Sequence, residues 1–331
     1  MQPSDLNRTA SLIALNPGPV PPPQQLLQDR IRFERLKQNG DAQSQNPADW
    51  ERLSCRACGK ESLVEALSLG DQPPANAFLR ADELDLDEAQ FPLSVRLCQN
   101  CGMVQLGHVV PPDLLFRAYS FFTSSSRRMS DHFAELMHDC SSRFVPPGGL
   151  IVEIGSNDGT ALASVDRRDV RLLGIDPARN ISVMAAARGV PTVAEFFSQT
   201  LAQEVARVAG RASLIVACNV IGHINDLDDV CSGVEVLLAP DGGFVFEVPY
   251  LRDLLQHTEF DTIYHEHLSY FAVRPMAELL GRHGLRLEHV EYFPVHGGTI
   301  RGTVVRGSGV SAEVAEWITN EQADGLASLS V

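Results

Sequence analysis

The order of apolar and polar positions in the second half of the chain predicts buried strands that alternate with helices. Each predicted strand is a short and nearly continuous apolar run, which is typical of a strand that is covered on both faces. The seven runs are Leu150–Glu153, Val170–Ile175, Val190–Val193, Ala212–Cys218, Gly243–Glu247, Arg286–Tyr292 and Thr299–Val305. A helix is predicted near Pro275–His283, and the last two strands are expected to form an antiparallel pair. This alternation predicts a doubly wound α/β domain.

The chain before these strands has a different pattern. Residues 1–50 are predicted to be an extension or linker, because the stretch LNPGPVPPPQQ is rich in proline. One short helix is predicted within it at Gln24–Gln38, where apolar residues recur at roughly helical spacing. A longer helix is predicted over Met129–Ser142, because the hydroxyl run Ser124–Ser126 can cap its first turn.

The stretch LIVEIGSNDGT, residues 150–160, is typical of a strand that leads through a glycine-rich turn into a helix. Its glycines let the backbone approach a nucleotide closely. A dinucleotide-binding turn would carry further glycines where this chain has Asn157 and Thr160, so the spacing favours S-adenosylmethionine over NAD. An ordinary turn without a ligand is the alternative. The candidate cofactor-binding residues are Glu153, Gly155, Asn157, Asp158, Gly159, Asp176 and Asn219.

Asp176 strengthens the nucleotide interpretation, because it ends the second predicted strand, where a carboxylate can accept hydrogen bonds from both hydroxyls of a ribose. A seven-stranded sheet that ends in an antiparallel pair is the layout of class I methyltransferases. The predicted fold is therefore α/β, a Rossmann-like seven-stranded sheet that binds S-adenosylmethionine, over residues 113–310.

Four of the seven cysteines form two C-x-x-C pairs, each followed by glycine. This spacing predicts a structural zinc site in which all four ligands are thiolates, within a small domain over residues 51–112. Iron in the same geometry and free thiols are the alternatives. The predicted ligands are Cys55, Cys58, Cys98 and Cys101, whereas Cys140, Cys218 and Cys231 stand alone.

Composition narrows the range of partners. The chain has 331 residues and a net charge of −15, which disfavours nucleic acid and anionic membrane surfaces. No apolar run reaches the roughly 20 residues of a membrane span, and the N-terminus lacks the apolar core of a signal peptide. We therefore expect a cytoplasmic protein that acts on a small molecule without nucleic acid or membrane partners, as a monomer or weak homodimer.

The stretch DTIYHEHLSYF, residues 261–271, follows the fifth predicted strand and holds the densest group of titratable residues. Three interpretations compete: His265 and His267 bind a metal, one of them is a general base, or the stretch is a polar cap on the sheet. His223 follows the neighbouring fourth strand, and its proximity favours acid–base chemistry. Tyr119 precedes the long helix and is expected either to form part of a hydrophobic hinge or to face a pocket.

Taken in order, these motifs resemble the sugar C-methyltransferases, including the deoxysugar 3-C-methyltransferases of antibiotic biosynthesis. The resemblance covers about residues 55–306 and includes the two CxxCG pairs, LSLGDQPPANAF, CGMVQL, VEIGSNDGT, NVIGHINDL, DTIYHEHLSYF and HGGTIR.

This resemblance implies the reaction and its residues. The substrate would be a nucleoside-diphosphate 4-keto-deoxysugar methylated at C3 through an enolate, with His267 as the general base. It also implies that residues 311–331 begin a C-terminal domain that is cut short. Methylation at C5 and a non-catalytic remnant that binds S-adenosylmethionine are the alternatives. The other residues that the resemblance places in this site are Tyr119, His223, Tyr264 and Glu266.

Overall fold

The computed structural model describes residues 50–85, 87–117 and 119–326, and the short helix predicted at Gln24–Gln38 lies outside them. A seven-stranded sheet forms the larger part of the molecule. Its strands are β4 (Leu150–Ile154), β5 (Arg171–Ile175), β6 (Thr192–Val193), β7 (Ala212–Cys218), β8 (Leu238–Pro249), β10 (Leu285–Phe293) and β11 (Thr299–Arg306). They lie side by side in the order β10-β11-β8-β7-β4-β5-β6. All seven predicted strands are confirmed, with small differences at their ends.

Strand directions follow the predicted layout. Strands β6, β5, β4, β7 and β8 pair in parallel, whereas β11 runs antiparallel to both β8 and β10. Every residue of β4 is buried. The continuous apolar run in its sequence predicted this burial, because a strand covered on both faces has no exposed side. The carboxyl ends of β4, β5, β7 and β8 therefore meet at one edge of the sheet, where open α/β sheets bind ligands.

Helices cover both faces of this sheet. They are α1 (Pro112–Phe116), α2 (Arg127–Phe144), α3 (Thr160–Ala163), α4 (Arg179–Ala187), α5 (Gln199–Ala209), α6 (Leu227–Leu237), α7 (Leu251–His257), α8 (Val273–Arg282) and α9 (Ala312–Ala323). Helix α2 begins slightly before the predicted range because Ser126 is its N-cap, and the Ser126 side chain accepts a hydrogen bond from the Met129 backbone N–H. In the part of the chain that the structure describes, no helix is both long and apolar enough to cross a membrane.

A second, four-stranded sheet carries the cysteine pairs. It consists of β1 (Leu63–Gln72), β2 (Phe91–Cys98), β3 (Val104–Leu106) and β9 (Ser269–Tyr270), in that order. The first three strands follow one another in sequence, but β9 belongs to the stretch after β8 and pairs antiparallel with β3. Buried residues of the cysteine region, including Ala57 and Met103, share one hydrophobic core with the large sheet.

Helix α9 packs against the large domain. Val314 is fully buried, and the Glu321 carboxylate accepts hydrogen bonds from the Tyr250 hydroxyl and from the backbone N–H groups of Val273 and Arg274. Glu321 thereby satisfies two of the N–H groups that the first turn of α8 leaves without an internal partner. The domain limits at 112, 310 and 311 remain predictions.

Candidate active site

The four cysteines of the C-x-x-C pairs form one cluster. The Sγ atoms of Cys55, Cys58, Cys98 and Cys101 all lie within 4.8 Å of one another. The Cys55–Cys101 and Cys58–Cys98 Sγ–Sγ distances are 3.5 Å and 3.6 Å. Tetrahedral zinc with Zn–S bonds of about 2.3 Å separates its thiolates by about 3.8 Å, so the arrangement fits a zinc ion held by four sulfur atoms. Such a site is closed to substrate.

Each cysteine pair ends in a tight turn that requires glycine. Gly59 and Gly102 have φ values of 71° and 81°, in the left-handed region, as expected for the residue after each pair. Their N–H groups donate to the carbonyls of Cys55 and Cys98 at 2.9 Å. The glycine that follows each C-x-x-C pair therefore closes the turn that presents the thiolates.

Arg56, inside the first cysteine pair, connects the zinc site to the large domain. Its side chain is 1% exposed and donates to the carbonyls of Leu106 and Leu268 at 2.9 Å and 3.2 Å. Its Nε also donates to the Asn225 Oδ1 atom at 3.1 Å. The sequence does not reveal the role of this arginine, since a buried guanidinium cannot be distinguished from an exposed one by residue spacing.

A cavity of about 980 Å³ opens at the carboxyl edge of the large sheet. Loops after β4, β5, β7 and β8 line it, together with the segment that joins the two domains. The predicted site residues in its lining are Tyr119, Glu153, Gly155, Asn157, Asp176, Asn219, His223, Tyr264 and His267. Asp158, Gly159 and Glu266 are not among the lining residues.

Gly155 begins the turn after β4. Its φ of 69° lies in the left-handed region, and a Cβ atom there would lie 2.7 Å from Val220 Cγ2. Asn157 also has a positive φ, 47°, so asparagine occupies the position where a dinucleotide-binding turn would have glycine. The turn therefore requires a left-handed backbone conformation at position 157, and here asparagine adopts it in place of glycine.

Asp176 is fixed at the end of β5 and faces the cavity. Its Oδ2 accepts from the Asn157 backbone N–H and its Oδ1 from the Ala178 backbone N–H, both at 2.9 Å. The side chain is buried, and this burial raises the pKa of Asp176 above its ordinary value, although the two N–H groups oppose the shift. A carboxylate held in this way is placed to accept further hydrogen bonds from a ribose, as the sequence predicts.

The side chain of Asn157 binds the protein itself. Its Oδ1 accepts from the Thr123 backbone N–H at 2.9 Å, and its Nδ2 donates to the Phe121 carbonyl at 3.0 Å. Asn180 of α4 holds the same segment, since its side-chain amide exchanges two hydrogen bonds with the backbone of Tyr119. The role of Asn180 could not be predicted from the sequence, because a single asparagine in a helix forms no recognisable pattern.

Asp158 and Gly159 stabilise the glycine-rich turn after β4, although neither lines the cavity. The Asp158 Oδ1 accepts from the hydroxyl of Thr160 at 2.6 Å, and its Oδ2 accepts from the Ser124 backbone N–H at 3.2 Å. Gly159, with a φ of 74°, precedes the first residue of α3. These two residues shape the glycine-rich turn and anchor the segment before α2.

Several buried polar atoms around this turn have no hydrogen-bond partner. They are Glu153 Oε2, Ser156 Oγ and Asn219 Oδ1. Burial, and secondarily the neighbouring Asp176, raise the pKa of Glu153 well above its ordinary value. A carboxyl group in this position is suited to a cationic ligand, because a positive charge would offset both effects. These unpaired oxygen atoms and the carboxylate of Asp176 fit S-adenosylmethionine, which carries a sulfonium, an ammonium and a ribose.

His267 and Tyr264 form a hydrogen-bonded pair in the lining of the cavity. The His267 Nδ1 lies 2.8 Å from the Thr262 carbonyl, so it must carry the ring proton of the neutral imidazole and donate it. The His267 Nε2 then has a free lone pair, which accepts from the Tyr264 hydroxyl at 2.8 Å. Burial lowers the pKa of His267, which favours the neutral form that a general base requires.

His223 lies directly beside this pair. Its ring centroid is 5.1 Å from that of His267 and 5.6 Å from that of Phe116, which stacks on it. Burial, and then the neighbouring His267, lower the pKa of His223 to about 3, so its ring is neutral at ordinary pH. The structure therefore brings together His223, Tyr264 and His267 from two different loops.

Tyr119 and Glu266 form a second hydrogen-bonded group. The Tyr119 hydroxyl donates to Glu266 Oε2 at 3.3 Å, and the amide of Asn76 donates to Glu266 Oε1 at 2.8 Å. Glu266 is 2% exposed and lies behind the cavity wall. Tyr119 faces the cavity, so the pocket interpretation of this residue fits the structure better than the hinge interpretation.

The metal-binding interpretation of the loop requires the side chains of His265 and His267 to reach one ion. The backbone turns at residues 265 and 266 and is not extended there. His265 Nε2 lies 3.1 Å from the carbonyl of Phe91 in the small sheet. Among the described residues, only the four cysteines form a group of three or more potential metal ligands. The structure therefore gives no support to a metal site in this loop.

Comparison with known proteins agrees with this architecture. A family model described as "Putative zinc binding domain" matches residues 55–116, and one described as "Methyltransferase domain" matches residues 126–290. The C-methyltransferase NovU of Streptomyces niveus is 38% identical over 280 residues, which are 82% of this chain.

The chain therefore has a region similar to zinc-binding domains, followed by a region similar to methyltransferase domains. The zinc-binding domain and the C-methyltransferase resemblance predicted from the motifs are both confirmed. The chain spans 66% of the length of NovU.

Two solved methyltransferase structures match part of the chain. Magnesium protoporphyrin IX methyltransferase from Synechocystis PCC 6803 with bound SAH is 14% identical, with a TM-score of 0.43, and the match covers 57% of this chain and 90% of that one. The N-methyltransferase NodS from Bradyrhizobium japonicum WM9 is 15% identical, with a TM-score of 0.40, and the match covers 54% and 96%.

Proposed function

We propose that this protein transfers a methyl group to carbon 3 of a nucleoside-diphosphate 4-keto-deoxysugar, as a step of deoxysugar biosynthesis in the cytoplasm. The observation that carries the proposal is the His267–Tyr264 pair. The Thr262 carbonyl fixes the Nδ1–H of His267, so its Nε2 is an acceptor, and both residues line the same cavity as Glu153 and Asp176. The 38% identical C-methyltransferase supports bond formation at carbon.

The proposed chemistry follows from the arrangement of these side chains. The C3–H bond beside a ketone is acidic enough for an imidazole of suitable pKa to remove its proton. His267 Nε2 takes this proton by one of two routes. It removes the proton directly, or the Tyr264 hydroxyl, which is hydrogen-bonded to Nε2, accepts the proton and passes its own to Nε2. Once His267 is protonated, its Nε2–H donates to the Tyr264 oxygen, so the Tyr264 hydroxyl is free to donate to the enolate oxygen. S-adenosylmethionine supplies the electrophilic methyl group.

The charge of the cavity determines which end of the substrate enters it. Six carboxylate residues line the cavity, and no arginine or lysine of the described part of the chain does so. The acidic residues are Glu153, Asp176, Asp226, Asp229, Glu259 and Asp261. They favour a cationic methyl donor and disfavour a diphosphate. The proposal therefore places the keto sugar inside the cavity and the diphosphate outside its mouth.

The reaction is tested by incubating the protein with labelled S-adenosylmethionine and a panel of 4-keto nucleotide sugars, followed by mass spectrometry of the products. We expect one methyl group to be added, and fragmentation to place it at C3. A product methylated at C5 would retain the enolate chemistry but change the position. Absence of product from every sugar, with S-adenosylhomocysteine still bound, would favour a non-catalytic protein.

The methyl-donor site is tested by changing Asp176→Ala and measuring the affinity for S-adenosylhomocysteine by calorimetry. A hydrogen bond to a charged group contributes about 1.5–3 kcal/mol, so we expect affinity to fall roughly 10- to 100-fold. Asp166→Ala, which changes an exposed aspartate, is the matched control and should bind normally. NAD should not bind to either protein. Unchanged affinity in Asp176→Ala would place the ribose elsewhere.

The pH dependence of the reaction follows from His267. The neutral imidazole is the active form, so the rate falls when the pH drops through the pKa of His267. Burial lowers this pKa from its ordinary value of 6.5, and the nearby His296 lowers it further. We therefore expect kcat/KM to fall as the pH decreases, with the midpoint of the decline below pH 6.5. A decline centred above pH 6.5 would contradict His267 as the base.

A further inference from the structure

Asn76 of the zinc-binding domain contacts a buried carboxylate of the candidate active site. It follows β1, within the stretch LSLGDQPPANAF, and its side-chain amide lies 2.8 Å from Glu266 Oε1. The residue itself is exposed, whereas Glu266 is 2% exposed. The two residues are separated by 190 positions in the sequence, so the contact joins two domains.

The chemistry of the two groups fixes the direction of this hydrogen bond. An amide nitrogen donates to a carboxylate oxygen, whereas an amide oxygen in the same place would face a second acceptor. Asn76 therefore favours the ionised form of Glu266. Burial raises the pKa of Glu266, and the hydrogen bonds from Asn76 and Tyr119 oppose this rise.

The state of Glu266 determines what Tyr119 offers to the cavity. An ionised carboxylate only accepts, so the Tyr119 hydroxyl donates its proton to Glu266 Oε2. The Tyr119 oxygen then presents a lone pair towards the cavity that the ring lines. The Tyr119 backbone is held independently by the side-chain amide of Asn180. Asn180 therefore fixes the backbone of Tyr119, whereas Glu266 orients its hydroxyl.

We propose that Asn76 is a positioning residue of the active site, through which the zinc-binding domain fixes Glu266 and thereby the hydroxyl of Tyr119. The zinc-binding domain then does more than support the fold, because one of its side chains determines the orientation of a group that faces the substrate. The contribution to catalysis rests on the proposed function, whereas the contact between Asn76, Glu266 and Tyr119 does not.

The first experiment measures this contact without any substrate. The chain has five tyrosines, so labelling with 3-fluorotyrosine gives five fluorine resonances, which single Tyr→Phe variants assign. We expect Asn76→Ala to shift the Tyr119 resonance and to leave that of Tyr292, on β10, unchanged. Gln72→Ala, in which an exposed amide that donates to the Leu69 carbonyl is removed from the same domain, is the matched control. An unchanged Tyr119 resonance in Asn76→Ala would overturn the proposal.

The second experiment tests whether Asn76 acts through Tyr119 during turnover. We expect Asn76→Ala to raise the KM for the sugar about tenfold, the equivalent of one charge-assisted hydrogen bond, with a smaller change in kcat. The same substitution should have little effect in a Tyr119→Phe background, because the group that it positions is already absent. Asn76→Gln, which keeps the amide, should recover part of the loss. Additive effects of Asn76→Ala and Tyr119→Phe would contradict the positioning role.

Failure of the proposed function gives a different result. If no keto sugar is methylated, the kinetic experiment has no rate to compare, and the fluorine spectra alone decide whether Asn76 positions Tyr119. Zinc content and binding of S-adenosylhomocysteine should be unchanged in Asn76→Ala, because the residue is exposed and lies outside both sites.

Discussion

His267→Asn should abolish methyl transfer and the exchange of the C3 hydrogen with solvent. Asparagine can still donate to the Thr262 carbonyl, which now lies 2.8 Å from His267 Nδ1, but it cannot take up a proton at neutral pH. A general base contributes roughly 10²- to 10⁴-fold to a rate, so the loss of kcat should fall in or above this range. Exchange is measured by NMR in deuterated water with S-adenosylhomocysteine in place of the methyl donor.

The exchange measurement separates the base from the other residues of the site. His138→Asn makes the same substitution at an exposed position of α2 and should leave both exchange and transfer unchanged. A variant that only loses the donor, such as Asp176→Ala, should retain exchange. Retained exchange in His267→Asn would assign the base to another group, and Tyr264, whose hydroxyl lies 2.8 Å from His267 Nε2, would be the first to examine.

Loss of zinc should inactivate the enzyme while leaving much of its affinity for S-adenosylhomocysteine. Structural zinc sites contribute on the order of 10 kcal/mol to the folding of small domains. Without the metal, we expect the small sheet to lose its order, and with it the pairing of β3 to β9 that fixes the stretch after His267. The turn after β4 and the carboxylate of Asp176 belong to the other sheet and should remain in place.

Cys101→Ser is the variant that tests this separation. Metal analysis should show less than one zinc per chain, and thermal unfolding should begin at a lower temperature than in the unmodified protein. Cys140→Ser replaces a buried thiol of α2 outside the cluster and should retain its zinc. Full activity of zinc-free Cys101→Ser would show that the small domain has no influence on the site.

The large sheet could be predicted because its strands follow from a local property. Each buried parallel strand is a continuous apolar run, and the runs are separated by turns rich in glycine and polar residues. The four zinc ligands were predictable for a similar reason, since both pairs keep a fixed spacing. Strand β9 was not predicted, because two residues that pair with β3 have no periodicity of their own.

The candidate site was predictable as a set of residues but not as an arrangement. His223, Tyr264 and His267 were expected in one crevice from the strand order, and they lie there. The partners that orient them come from distant positions, as with Asn180 for the backbone of Tyr119. Such contacts depend on the packing of whole domains, so no short stretch of sequence contains them.

The four-stranded sheet cannot be completed until a late part of the chain has been synthesised, because its strand β9 follows β8 in sequence. The carbonyl of Leu268, to which Arg56 donates, follows that arginine by 212 residues. At about 5–20 residues per second, a ribosome needs roughly 10–40 seconds to make this interval. Until then the backbone of β3 has an open edge that another chain could pair with. We therefore expect the edge of β3 to remain unpaired until Ser269 and Tyr270 emerge from the ribosome.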